Sequence, residues 1–314
     1  MVTIKKIEIK DYFGKGNFEW NLDPVVNILG GKNGSGKSSL FKLCYALLNN
    51  EKIDNKTDKH FSALFEKVTL TLSNDWTVVW IKPELRKEYI LKTGGSTPQL
   101  YKEIILLNQK GEIQDLSMRN EFIKAFMVNS FEQDYISLIN RMQDQKHLYL
   151  SDIGAIPLDS LIDNEINLRN KNLSAAVDNY MDDSADEIAT LNEYKKKHNM
   201  INTSLSHFMT DYDRKIGSDF VFSKKGEKIP WQNLSMGEKQ ILLLLLMVSN
   251  TQQQPCIFFM DEPDLSMHID WKEILVKELH ELNPNMQIIL STHAPSVITG
   301  WHDKVKEVNQ LIKK

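Results

Sequence analysis

An α/β fold built on a parallel sheet is what this sequence predicts, and three observations carry it. Val25–Leu29, Cys256–Met260 and Gln287–Leu290 are short continuous apolar runs of the kind found in strands covered on both faces. The first run opens into Gly31-Lys-Asn-Gly-Ser-Gly-Lys-Ser38, a glycine-rich turn followed by helix-forming residues. The later two are separated by a helical stretch, so the order is strand, glycine loop, helix, then strand, helix, strand.

Composition sets the outer limits. Of 314 residues 41% are hydrophobic, enough to bury a sizeable core. Basic residues number 38 against 42 acidic, a net charge of -4, so DNA contact would need a local patch rather than a global field. Two cysteines, Cys44 and Cys256, make neither a disulfide framework nor a zinc site and fit a reducing, cytoplasmic setting. The longest apolar run, Ile241–Val248, is far shorter than the roughly 20 residues of a membrane span, and the N-terminus lacks a signal-peptide core. Membrane insertion and secretion are therefore not expected.

Taken in order, Val2–Lys10 alternates β-branched and charged residues and reads as a strand, as does Val25–Leu29. A helix is expected over Lys37–Asn50. Lys67–Leu72, Trp76–Ile81 and Glu103–Leu107 read as an antiparallel β-layer, with Ser73-Asn74-Asp75 and Gly94-Gly95-Ser96 as turns. From Leu158 to Lys215 glycine and proline nearly vanish, which suits a short helical lobe. Helices follow at Gly237–Asn250 and Asp270–Leu282, the latter stopped by Asn283-Pro284.

Residues Gly31 to Ser38 fit G-x-x-x-x-G-K-[ST] at every fixed position, after a strand and before a helix. Glycines let consecutive N–H groups turn toward an anion, and the helix beginning near Lys37 adds its positive dipole end. Gly31, Asn33, Gly34, Ser35, Gly36, Lys37, Ser38 and Ser39 are thus candidate ATP-binding residues. Lys37 is expected to reach the β- and γ-phosphates and the Ser38 hydroxyl to join a Mg²⁺ shell. Asp261 and Glu262 close the second apolar strand, where adjacent side chains point to opposite faces and can serve two tasks. Asp261 is assigned to metal and Glu262 to the attacking water.

Ser235 and Glu238 have the spacing of a capping box at the start of an apolar helix. Capping leaves Gly237 unexplained, because glycine in a first turn costs about 1 kcal/mol against alanine. A close backbone approach would justify it, and a capped helix start is a second candidate anion site, one that a partner subunit could carry to the P-loop phosphate.

With these residues in hand, the chain resembles an ABC-type ATPase head. Leu234-Ser-Met-Gly-Glu-Lys-Gln240 resembles the signature, Asp261-Glu262-Pro263 the Walker B strand with its catalytic glutamate, Asp264 the start of the D-loop and Ser291-Thr-His293 the switch histidine. Asp11-Tyr-Phe13, Asp261-Glu-Pro-Asp-Leu-Ser-Met-His268 and Ser291-Thr-His-Ala-Pro295 place the resemblance on the RecF, Rad50 and OLD-nuclease side. The resemblance implies a P-loop NTPase with a mixed central sheet, an antiparallel β-layer and a short helical lobe. Residues 1–127 with 252–314 would form the nucleotide-binding lobe and 128–251 the signature lobe. It further implies a homodimer or higher oligomer that sandwiches ATP, His293 at the γ-phosphate, DNA-directed work in repair or antiphage defence, and a separately encoded effector such as a nuclease.

The stretch from 128 to 233 is too short for the long coiled coil of Rad50 and SMC proteins, so a bare head is expected. For the Q-loop metal contact, Asn129, Ser130 and Gln133 stand in range and Gln133 is chosen. Phe13 is a candidate to stack on adenine, with core packing as the competing role. The acidic stretch Asp178–Glu187 reads as a solvated face, and Lys195–Lys197 with Lys304, Lys306, Lys313 and Lys314 as surface charge that could touch DNA. An ATPase subunit of a membrane transporter and an ATP-gated scaffold with little turnover share the same nucleotide motifs and stay open.

Overall fold

A computed structural model describes residues 2–49, 53, 55–94, 103–121, 123–129, 158–180, 196, 199–213, 220–264 and 266–313. Seven strands form an antiparallel sheet: β1 (Ile4–Lys10), β2 (Asn17–Asn21), β4 (Lys67–Leu72), β5 (Thr77–Ile81), β6 (Ile104–Leu107), β7 (Ile113–Gln114) and β14 (Ile312–Lys313). Their order is β14-β2-β1-β4-β5-β6-β7. A second sheet of five strands is parallel throughout: β3 (Val26–Gly30), β8 (Ala125–Asn129), β11 (Cys256–Asp261), β12 (Met286–Ser291) and β13 (Val305–Glu307), in the order β13-β3-β12-β11-β8. The expected mixture of parallel and antiparallel strands is present, divided between two sheets. A hairpin of β9 (Val221–Lys224) and β10 (Glu227–Pro230) stands apart.

Period-two alternation gives the parallel sheet a core on each face. Cys256, Phe258 and Met260 of β11, with Met286, Ile288 and Leu290 of β12, face the core shared with helices α4 (Leu158–Tyr180), α5 (Met236–Asn250) and α6 (Ile269–Leu282). Ile257, Phe259 and Ile289 face the other core, which holds α1 (Lys37–Asn49), α2 (Asn55–Leu64) and the antiparallel sheet. The long apolar run Ile241–Val248 is buried at every position, as a helix apolar on all sides must be. Between β5 and β6 lies a helix that the strand-and-turn reading passed over, α3 (Pro83–Lys92), which covers Val79, Ile81, Ile105 and Leu107. Of the predicted turn there, only Gly94 falls among the described residues.

Gln287 joins the two sheets. Its fully buried amide accepts the Ile4 N–H at 2.8 Å and donates to the carbonyls of Ile4 at 2.9 Å and Asp23 at 2.8 Å. Gln287→Leu fills similar space but strands these backbone groups. It is expected to cost about 3 kcal/mol of stability in denaturant titrations; a loss below about 1 kcal/mol would mean the sheets hold together without the clamp.

Candidate functional site

The sheet delivers its chemistry at the carboxyl ends of β3, β11 and β12. After β3 the loop runs through Gly31, Gly34 and Gly36 into α1, which starts at Lys37. With Phe13 and Glu262, residues Asn33 to Ser39 line a cleft of about 320 Å³. The loop is braced from behind by an aromatic turn: the Tyr12 hydroxyl donates to the Ser35 carbonyl at 2.8 Å. Burial pushes the Tyr12 phenol above its ordinary range, so it remains a donor. Phe13 lies 4.9 Å from the Tyr12 ring and edge-on to Phe65 at 5.4 Å. Its ring therefore packs on the P-loop and borders the cleft at once.

Inside the cleft a buried lysine meets a carboxylate and an imidazole. Lys37 Nζ donates to the Gly31 carbonyl at 2.8 Å and lies 3.0 Å from His293 Nε2 and 4.0 Å from Glu262 Oε1. Burial holds the Lys37 ammonium below its ordinary pKa, while Glu262, Asp261 and Glu307 pull it back upward. His293 Nε2 also lies 3.1 Å from Glu262 Oε1. One ring nitrogen can accept from the ammonium or donate to the carboxylate, not both, so the imidazole tautomer decides which partner is clamped.

Asp261 and Glu262 differ more than strand alternation foresaw. Asp261 ends β11, is fully buried, continues the phase of Ile257 and Phe259 toward α1, and accepts the Ser291 hydroxyl. Glu262 has already left the strand. Its φ of 49° is left-handed, and its N–H donates to the Ser291 carbonyl at 3.0 Å. This turn, rather than the opposite face of a strand, brings the Glu262 carboxylate to Lys37 and His293. Asp264 is buried, accepting from Thr292 Oγ1 at 2.9 Å and pairing with Lys272 at 3.2 Å. It ties the loop after β11 to the one after β12.

At the start of α5 the capping box forms as the spacing predicts, with Ser235 N–H on Glu238 Oε2 at 2.7 Å and Glu238 N–H on Ser235 Oγ at 3.4 Å. Gly237 is explained inside the chain: a Cβ there would lie 2.4 Å from the Ser266 carbonyl oxygen. Ser235, Gly237 and Glu238 do not line the cleft that holds Lys37 and Glu262. Ser130 and Gln133 lie outside the described residues, as do the side chain of Asn129 and most of the acidic and lysine stretches near 180 and 196. Tyr12, Ser291 and Thr292 lie inside motifs legible in the sequence but carried no role of their own there; their hydrogen-bond partners are 23 to 30 residues away. Their adjacency to Phe13 and to His293 is the local signal that pointed near them.

The family model described as "AAA domain, putative AbiEii toxin, Type IV TA system" matches residues 84–299. The chain belongs to this AAA family. Two curated relatives are the "Retron Vc95 probable ATPase" of Vibrio cholerae serotype O1 biovar El Tor, 32% identical over 133 residues, and the "Retron Ec83 probable ATPase" of Escherichia coli, 29% identical over 90 residues. These matches cover 37% and 25% of this chain, and 26% and 17% of the relatives' own length. Among solved structures, the SMC head bound to the C-winged helix domain of ScpA superposes with a TM-score of 0.54 at 10% identity, covering 97% of this chain and 93% of that one. The SMC head domain from Thermotoga maritima gives 0.54 at 15% identity, with 97% and 94% covered. This AAA chain therefore has the P-loop NTPase head fold. Among its described residues no helix is long and apolar enough to cross a membrane.

Proposed function

We propose that this AAA chain binds ATP with Mg²⁺ in the cleft between the P-loop and Glu262, and hydrolyses it when a second copy closes over the triphosphate. The cycle then controls a separately encoded effector, a nuclease serving antiphage defence or DNA repair. The observation that carries the reading is the meeting of Lys37, Glu262 and His293 within 4.0 Å beside a complete P-loop. Similarity to proteins named as retron ATPases favours effector control over a transporter subunit. Exposed Met236 and Ile269, apolar side chains at the amino ends of α5 and α6, favour a face covered by a second copy.

In this reading Lys37 leaves the Gly31 carbonyl for the β- and γ-phosphate oxygens. Water oxygen bonds to the γ-phosphorus while the bond to the β–γ bridging oxygen breaks, ADP leaves with that electron pair, and Glu262 accepts the water proton. His293 holds the Glu262 carboxylate in place through its Nε2–H. Ser38 in the first turn of α1 and Asp261 at the end of β11 would offer oxygen ligands, a set that suits Mg²⁺ with the remaining ligands drawn from phosphates, water and Gln133. When bound, the cation spreads the charge gathering on the phosphate oxygens. Residues 1–127 with 252–314 supply the nucleotide-binding lobe, and 128–251 the signature lobe offered to the partner.

Mixing two inactive variants tests this. Lys37→Ala removes the P-loop cation, and Ser235→Glu puts a carboxylate where the partner's triphosphate would dock. Each alone should release almost no phosphate. An equal mixture should recover about a quarter of normal turnover per chain, because about half the dimers are mixed and each mixed dimer has one intact site of two. No recovery would rule out a site shared between copies.

A further inference from the structure

Glu238 poses a charge problem for the signature turn. A triphosphate arriving at Ser235–Gly237 from a second copy meets a carboxylate within the same helical turn, and the two repel. The structure shows both carboxylate oxygens occupied. Oε2 accepts the Ser235 N–H at 2.7 Å and Oε1 accepts the Tyr212 hydroxyl at 2.8 Å. The return bond from Glu238 N–H to Ser235 Oγ is long at 3.4 Å, so the exposed Ser235 hydroxyl is only loosely held.

Tyr212 is itself fixed. It follows the helical stretch 199–208, donates its N–H to the Met209 carbonyl at 3.1 Å and packs edge-on to Phe222 at 5.5 Å, with the Lys224 ammonium 5.1 Å from its ring centre. Burial, with the Glu238 carboxylate, lifts its phenol to about 12, so the hydroxyl stays a donor at any ordinary assay pH.

We propose that Tyr212 is a positioning residue that pins Glu238 against the Ser235 N–H and so keeps the signature turn receptive to the partner copy's triphosphate. The proposal rests on the two-copy reading above. Without the hydroxyl, Oε1 loses its donor and the carboxylate, held by the Ser235 N–H alone, can pivot about that one bond toward the docking face.

The mixed dimer separates this role from general packing, because only one of its two signatures counts. Tyr212→Phe keeps the ring. Placed on the Lys37→Ala chain, whose signature serves the intact P-loop, it should lower the mixture's turnover by about 10-fold. Placed on the Ser235→Glu chain, whose signature is already disabled, it should leave turnover where it was, with ATP affinity equal in both arrangements. Equal losses in the two placements, or no loss in either, would overturn the role of Tyr212 while the shared site stands. A parent mixture that recovers no turnover would overturn the shared site and this proposal together.

Discussion

Glu262→Gln is expected to cut phosphate release by about 100- to 1,000-fold while ATP affinity stays within a few-fold, since removing a general base from phosphoryl transfer acts on the chemical step. Geometry favours so clean a split. Glutamine is isosteric and its amide oxygen can still accept from His293 Nε2, now 3.1 Å from Glu262 Oε1. The backbone keeps its left-handed turn, anchored by the N–H to the Ser291 carbonyl. What disappears is the capacity to take a proton and the negative charge 4.0 Å from Lys37. With turnover stalled, the chain should run as a dimer on gel filtration in the presence of ATP and Mg²⁺. Wild-type turnover would remove Glu262 from the water's path, and a monomer under saturating ATP would count against the sandwich.

Where sequence and structure agree, the signal is local. The P-loop is legible because its glycines, lysine and serine occupy one loop between one strand and one helix, and the capping box because Ser235 and Glu238 lie within a single helical turn. The apolar runs Cys256–Met260 and Gln287–Leu290 became β11 and β12, each lengthened by a residue or so, since continuous burial is written directly in hydrophobicity. What the reading lost was non-local or conformational. Strand alternation could not tell that Glu262 leaves the strand, because a left-handed φ on a non-glycine residue is fixed by tertiary contacts. Gly237 signalled a close approach without saying to what, and the answer, Ser266, lies 29 residues on. Helix α3 carried readable marks, Pro83 at its first turn, Glu84 after it and Lys92 in its last turn, yet the strands on either side outweighed them. β8 carried no expectation of its own, although Phe126-Met-Val128 alternates between the two cores as a central strand should.

Gly36→Ala carries the second large expectation: ATP affinity should fall by at least about 100-fold, or roughly 3 kcal/mol, with the fold retained. Two penalties act at one atom. The residue sits at φ 96°, where an L side chain is strained. A Cβ built there would also lie 2.2 Å from Phe13 Cε2 and 2.7 Å from the Tyr12 hydroxyl oxygen. Neither ring can easily retreat. Tyr12 is fully buried between Phe18 and Phe65, its hydroxyl is committed to the Ser35 carbonyl, and Phe13 already occupies a left-handed φ of 54°. The loop must therefore shift, and Lys37, its immediate neighbour, moves with it. Gly34→Ala separates the two penalties, because Gly34 has a φ of 72° but open space around a would-be Cβ. It should lose only the conformational share, about 1–2 kcal/mol or some 10-fold in affinity by isothermal titration. Equal losses at Gly34 and Gly36 would show that the aromatic turn does not brace the P-loop.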